Sequence, residues 1–208
     1  MNTLHSEPNV PLRAGDGRQS RQRDPVMNDR RTVALGLLSV ALIPLTGCVT
    51  KPLLPDRADG THCYRIGRRS GNKLLCTPEP VPPAAVEAEV KRFEASADAL
   101  TLYVVRKRWG DTSKLAVVSF DERTRVTTIP DSLIRVRLTP GQHRLAVEWA
   151  GGSAERMISG IAGEVRFVEL VGRFWSWGGE YRWEDGSPEG SRSRAMSSKL
   201  IADVDLRR

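Results

Sequence analysis

Ile134–Trp149, IRVRLTPGQHRLAVEW, sets the fold class of this chain. Ile134, Val136 and Leu138 alternate with Arg135 and Arg137, the period of two that turns one strand face to a core and the other to water. Thr139-Pro140-Gly141 interrupts the run as a turn, with Gly141 expected to supply a positive φ. A second strand follows, with His143, Leu145, Val147 and Trp149 on one face and Gln142, Arg144 and Glu148 on the other. Two short alternating strands on either side of a turn point to β structure.

The same period extends outward in both directions. Leu100, Leu102 and Val104 alternate with Thr101 and Tyr103, and Leu115–Phe120 and Arg125–Ile129 flank Asp121-Glu122-Arg123-Thr124 as a hairpin. Val165–Val171 and Trp175–Trp183 bring the total to about seven short strands, the number and spacing of an all-β sandwich over residues 99–184. Residues 185–208 read as a polar C-terminal tail. Upstream, Val86, Val90 and Phe93 recur at helical spacing in Ala84–Ala95, after a proline-rich break, and this narrow apolar face should pack on the β domain. Thr61–Gly67 and Lys73–Thr77 form an expected hairpin around Ser70-Gly71-Asn72, and Val49–Gly60 reads as a tether. Residues 48–98 therefore hold tether, hairpin and short helix.

Ahead of this body lies Val33–Cys48, VALGLLSVALIPLTGC, preceded by Arg30 and Arg31. An apolar run this short falls below the roughly 20 residues of a membrane-spanning helix. Its order, basic then apolar then small, is that of a secretory signal peptide, placed at residues 27–47. Leu45-Thr46-Gly47-Cys48 resembles a bacterial lipobox, which implies that Cys48 carries lipid and becomes the mature N-terminus. Each buried methylene of such a lipid contributes about 0.8 kcal/mol to membrane attachment. Arg30-Arg31-Thr32-Val33 faintly resembles a twin-arginine signal, but paired arginines are common in ordinary basic regions, and export by the general route is the better reading. Residues 1–26 are polar and aperiodic, a disordered preface, and Met27 makes a better start than Met1. Val49 rather than aspartate follows the cysteine, which by resemblance to outer-membrane lipoproteins implies transfer to the outer membrane, facing the periplasm.

Charge and cysteine count fit an exported body. The chain carries 32 basic and 25 acidic residues. Removing residues 1–47 takes away six basic and four acidic ones, leaving a scattered net charge of +5 that specifies no nucleic acid. With Cys48 assigned to lipid, Cys63 and Cys76 remain as a pair, expected to be disulfide-linked in an oxidising envelope for roughly 3 kcal/mol of stabilisation. His62 and these two cysteines are too few ligands for a metal site, and neither metal nor cofactor is expected.

Residues 99–149, with ALTLYVVRKRWGD, VVSFDE and LTPGQHRLAVEW, resemble an uncharacterised bacterial lipoprotein family whose domain is similar to the PEGA-type small β-sandwich. Pro140, Gly141 and His143 match the Leu-x-Pro-Gly-x-His that marks it, whereas Asp121-Glu122 departs from its Asp-Gly hairpin. The resemblance implies a fold and no activity, since no catalytic residues are shared across such families.

Three groups of residues remain as candidate sites. His143 shares a face with Leu145 and Val147 and reads as a packed, hydrogen-bonded histidine, with no triad or metal spacing around it. Arg106-Lys107-Arg108-Trp109 joins an aromatic to a basic run, and reads either as a contact for phosphate or anionic headgroups or as a solvated strand end. Trp175, Trp177, Tyr181 and Trp183 all sit at odd positions. One unbroken strand would align them, either as a platform for a sugar or partner protein or as the inner face of the sandwich, whereas a bulge at Gly178-Gly179 would split the stripe. The expectation is a membrane-anchored periplasmic lipoprotein with a non-catalytic binding or structural module, attached through Cys48 and meeting another envelope protein or peptidoglycan. The alternative is an envelope hydrolase acting on peptidoglycan, which would need a convergent carboxylate pair drawn from residues such as Asp98, Asp111, Asp121 and Asp131.

Overall fold

Residues 53–66, 74–107, 114–175 and 178–207 are described in a computed structural model of the chain. The preface, the signal stretch, Cys48, the hairpin tip Ser70-Gly71-Asn72, Arg108, Trp109, Asp111 and Trp177 lie outside the described residues. Among those described, eleven strands and two helices follow in order: β1 (Cys63–Arg65), β2 (Leu74–Cys76), α1 (Ala84–Val90), β3 (Leu100–Arg106), β4 (Ala116–Phe120), β5 (Thr124–Thr128), β6 (Ser132–Leu138), β7 (Gly141–Trp149), β8 (Gly152–Gly160), β9 (Val165–Trp175), β10 (Gly178–Glu184), α2 (Pro188–Ser197) and β11 (Lys199–Asp205). The protein is mostly β, as the alternation requires. No described helix is long and apolar enough to cross a membrane.

The strands form a β1–β2 pair, a five-stranded sheet ordered β10-β9-β3-β6-β11 and a four-stranded antiparallel sheet ordered β5-β4-β7-β8. Leu100, Leu102 and Val104 of β3, with Ile134, Val136 and Leu138 of β6, share one core with Val118, Phe120, Leu145, Val147 and Ile158 of the four-stranded sheet. The opposite face of β3 is buried as well. Tyr103 and Val105 pack with Leu133 and Leu200 against Val90 of α1, Phe93 beyond it and Ala195 of α2. The alternation in β3 is therefore between two cores rather than between core and water. A strand at the centre of a mixed sheet, antiparallel to β6 and parallel to β9, needs this nearly continuous apolar run.

Most expected elements form where the sequence places them, with informative differences. The helix at Ala84–Ala95 stops at Val90, and Phe93 takes a left-handed φ of 56° that turns its ring onto Tyr103 and Phe167. Cys63 and Cys76 face each other across β1–β2 and are disulfide-linked. The segment read as a tether lies against the body from Leu53 onward, since Asp56 reaches Lys199 of β11. Residues 185–208 are not a polar tail, because they carry α2 and β11. The α2 face on the sheet is Ser191 and Ala195, too small to register as an apolar stripe. In β11 a bulge between Leu200 and Ala202 puts the adjacent Ile201 and Ala202 on the same core while Leu200 joins the other, breaking the period of two.

The turn between β4 and β5 is built without glycine. Asp121 and Glu122 take φ of 49° and 58°, and the Arg123 amide donates to Phe120 O at 2.9 Å, the geometry of a type I′ turn. Asp121 tolerates this because its carboxylate is engaged, with Oδ1 accepting from the Arg144 amide at 2.8 Å. Gly141 has the positive φ expected of it, 138°, with open space where a Cβ would stand. At Gly160 the constraint is packing, since a Cβ there would meet Leu100 Cδ1 at 2.5 Å.

These two glycines make a paired test. Gly160→Ala should lower stability by about 1–3 kcal/mol through overpacking, and Gly141→Ala by about 1–3 kcal/mol through backbone strain alone. Urea unfolding checks both, and a Gly160→Ala variant as stable as wild type would contradict the packing, as an equally stable Gly141→Ala variant would contradict the strained turn.

Candidate functional site

Alternation along β3 puts Arg106 in the same row as Leu100, Leu102 and Val104, so its guanidinium enters the space between the two large sheets. It is 1% exposed. Nη1 donates to Thr128 O and to Thr128 Oγ1 at 2.9 Å, on β5 of the opposite sheet. Nη2 donates to Lys114 O at 2.6 Å and to Tyr181 Oη on β10. The guanidinium carbon also lies 5.0 Å from the Tyr181 ring centroid. Thr128 Oγ1 passes its own proton to Ala116 O at 2.9 Å. Arg106 is thus neither a headgroup contact nor a solvated strand end. It is a buried cation tying three strands together.

The aromatic residues do not form one stripe, because the chain reverses between Trp175 and Gly178. Trp175 ends β9 and pairs with Gly178, while Tyr181 and Trp183 of β10 pair with Gly172 and Leu170. Tyr181 is buried in the core and meets the Trp149 ring edge-on at 5.3 Å. Trp183 is half-buried against the same core, and its Nε1 donates to Ala154 O of β8 at 3.3 Å. Trp149 Nε1 donates in the other direction, to Gly179 O of β10 at 3.2 Å. These two indoles stitch β10 to β7 and β8, so Tyr181 and Trp183 pack toward the core and not on a platform.

His143 is packed and hydrogen-bonded, as its place beside Leu145 predicts. Its Nδ1 lies 2.7 Å from Asp121 Oδ2 and its Nε2 lies 2.7 Å from Thr139 O. A general base needs a ring nitrogen within reach of a substrate proton, and both nitrogens here are committed to the protein. Asp98 is likewise held by Arg207, at 2.8 Å. Among the described residues, no group of three or more His, Cys, Asp or Glu is placed to hold a metal ion.

Sequence reading missed the most deeply buried carboxylate. Glu169 is fully buried on the outer face of β9, beneath α2. Its Oε1 accepts from Ser191 Oγ at 2.6 Å and from Arg194 Nε at 2.7 Å. Its Oε2 meets the Lys107 ammonium at 2.5 Å as an ion pair rather than an aligned hydrogen bond, and Lys107 also reaches Glu184 at 3.1 Å. Burial alone would push the Glu169 carboxyl up, but the Lys107, Ser191 and Arg194 donors outweigh it and hold it below the ordinary carboxylate range. A single acid inside the apolar run Phe167–Val171 was the available signal, since an acid there must be paired.

Comparison of the chain with protein-family models and with curated proteins gave no match.

Two measurements test this reading. Arg106→Ala should cost about 3–5 kcal/mol, because it strands buried acceptors on two sheets. Equilibrium unfolding with a loss under 1 kcal/mol would show that the guanidinium is dispensable. The lowered Glu169 pKa makes its stabilisation fully present above the ordinary carboxylate value of about 4.3 and lost as pH falls through the folded-state value. The difference in stability between wild type and Glu169→Gln should therefore shrink on going from pH 7 to acid. A difference that stays constant would refute the assignment.

Proposed function

We propose that the protein is a membrane-anchored lipoprotein of the bacterial cell envelope, whose body is a PEGA-like β-sandwich acting as a non-catalytic binding or structural module. The observation that carries this reading is the order of Arg30-Arg31, the apolar run and Leu45-Thr46-Gly47-Cys48. The Cys63–Cys76 disulfide supports it, because such links persist in oxidising compartments. Two sheets over one core, with a strand, a polar hairpin and a return through Pro140-Gly141, are what the family resemblance implies.

A binding module also fits the fate of the reactive groups. His143 and Asp121 are spent on each other and on the Gly141 turn region, and Asp98 is spent on Arg207. The hydrolase alternative needs two convergent carboxyls or a nucleophile with its base, and of the carboxylates the sequence offered Asp121 is bonded to His143 and the Arg144 amide and Asp98 to Arg207. Attachment to the membrane is through lipid on Cys48, with the outer membrane as the destination read from Val49. The partner is another envelope protein or peptidoglycan.

Intact-mass analysis of the membrane fraction should show a lipid-modified chain beginning at Cys48, and Cys48→Ser should abolish that species. A soluble chain beginning at Met1 would overturn the anchoring. Capture of one envelope protein or of peptidoglycan by the lipidated chain supports a module, whereas turnover of muropeptides would favour the hydrolase.

A further inference from the structure

Leu53–Gly60 leads into the body, and its contacts are few and polar. Residues 55–59 are exposed, while Leu54 and Gly60 are half-buried, so little apolar area holds the segment in place. Asp56 does the holding. Its Oδ2 accepts from Lys199 Nζ at 2.8 Å, and its Oδ1 faces His62 Nδ1 at 2.8 Å. Lys199 is itself buried at the start of β11 and donates to Glu87 Oε2 of α1 at 2.7 Å. Glu87 is fixed in turn by Lys91 and by the Leu200 amide. From Gly60 onward the backbone takes over, because the Val81 amide donates to Gly60 O at 2.9 Å, the Thr77 amide donates to His62 O at 2.8 Å and the disulfide closes Cys63 to Cys76.

We propose that Leu53–Gly60 is a strap clasped to the body by Asp56, and that the clasp sets how far the body can stand from its anchored N-terminus. The second half rests on the reading of Cys48 as the lipid site. Asp56 is eight residues beyond Cys48, a covalent reach of at most about 28 Å. With the clasp open, the next fixed residue is Gly60, held by the Val81 amide, and the reach rises to roughly 42 Å. A partner beyond the shorter limit would then be met only by the unclasped protein. The bridging carboxylate is well suited to this task. One side chain engages both the hairpin, through His62, and the sheet, through Lys199, so its loss opens both contacts while leaving the two cores untouched.

The test uses the full chain, recovered from membranes and reconstituted in phosphatidylethanolamine–phosphatidylglycerol vesicles containing a headgroup-labelled acceptor lipid. A donor dye is placed through Met196→Cys on the exposed side of α2. Asp56→Ala, and independently Lys199→Gln, should speed amide exchange at Arg57 and Gly60 by about tenfold or more, leave the β3 amides unchanged and lower energy transfer to the lipid. Unchanged exchange at Arg57 and Gly60 in both variants would overturn the clasp. Faster exchange with unchanged transfer would overturn its control of reach. A chain carrying no lipid on Cys48 would overturn the anchoring reading and with it the reach, while the exchange measurement still judges the clasp by itself.

Discussion

One guanidinium sits between the two large sheets, and the registers around it follow from where its donors must go. Burying a charge in a low-dielectric space costs several kcal/mol unless its hydrogen bonds are made. Arg106 therefore demands acceptors at fixed positions, and Thr128, Lys114 and Tyr181 supply them. A slip of one residue in β5 would withdraw Thr128 Oγ1, and a slip in β10 would exchange Tyr181 for a residue of the opposite face. Apolar contacts between Leu102, Phe120, Val136 and Leu145 stabilise the sheet pair without being so selective. The buried charge adds specificity where dispersion and area burial are tolerant of small shifts.

The outer face of the five-stranded sheet solves a different problem. Its helices are short and offer little apolar surface, since α1 buries Val90 and α2 buries Ser191 and Ala195. Ion pairs at partly shielded positions make up the difference. Glu89 of α1 and Asp203 of β11 both bind Arg135 of β6, at 2.7 Å each, and Glu87 binds Lys199. Glu169 draws α2 down through Ser191 and Arg194. Gly186 permits the close approach there, because a Cβ would stand 2.3 Å from Glu169 Oε1. The same ladder pins the edge strand. Asp203 opposite Arg135 and Asp205 opposite Arg137 define the parallel register of β11 despite its bulge.

How much of this was legible follows from which forces leave a period behind. Strands β6 and β7 were legible because each keeps one face in the shared core and so alternates, but nothing local announced that the turn between them carries the chain from the five-stranded sheet to the four-stranded one. The packed role of His143 was legible for the same reason. The aromatic stripe misled because the reversal between Trp175 and Gly178 has no preceding proline or Asn-Gly to announce it, and the odd-numbered parity of the sequence runs on across it. The helix α2 hides its sheet-facing side in serine and alanine, although Ser187-Pro188-Glu189 is a good start signal, with the Ser187 hydroxyl accepting from the Gly190 amide. Arg106 was readable by parity from Leu100, but charge took precedence over position in the reading. Glu169 and Asp56 depend on partners more than twenty residues away, Arg194 and Lys199, and no local pattern encodes such pairs.

The distribution of aromatic and charged groups bears directly on what the proposed binding module can use. Tyr181, Trp149 and Trp183 are engaged in the core and in the seam of β10 with β7 and β8, which leaves them little surface as anchors. The outer face of the four-stranded sheet instead carries paired ions, Arg125 with Glu148 and Arg144 with Glu122 and Glu155. Exposed pairs of this kind contribute little to stability, about 0–1 kcal/mol each. Their value at an interface lies in orientation and partner choice, because a charge-complementary surface can exchange these intramolecular bonds for intermolecular ones at small net loss. Affinity for a partner would then fall with ionic strength, and the lipid proposed on Cys48 would supply by proximity what the protein surface does not supply by apolar contact.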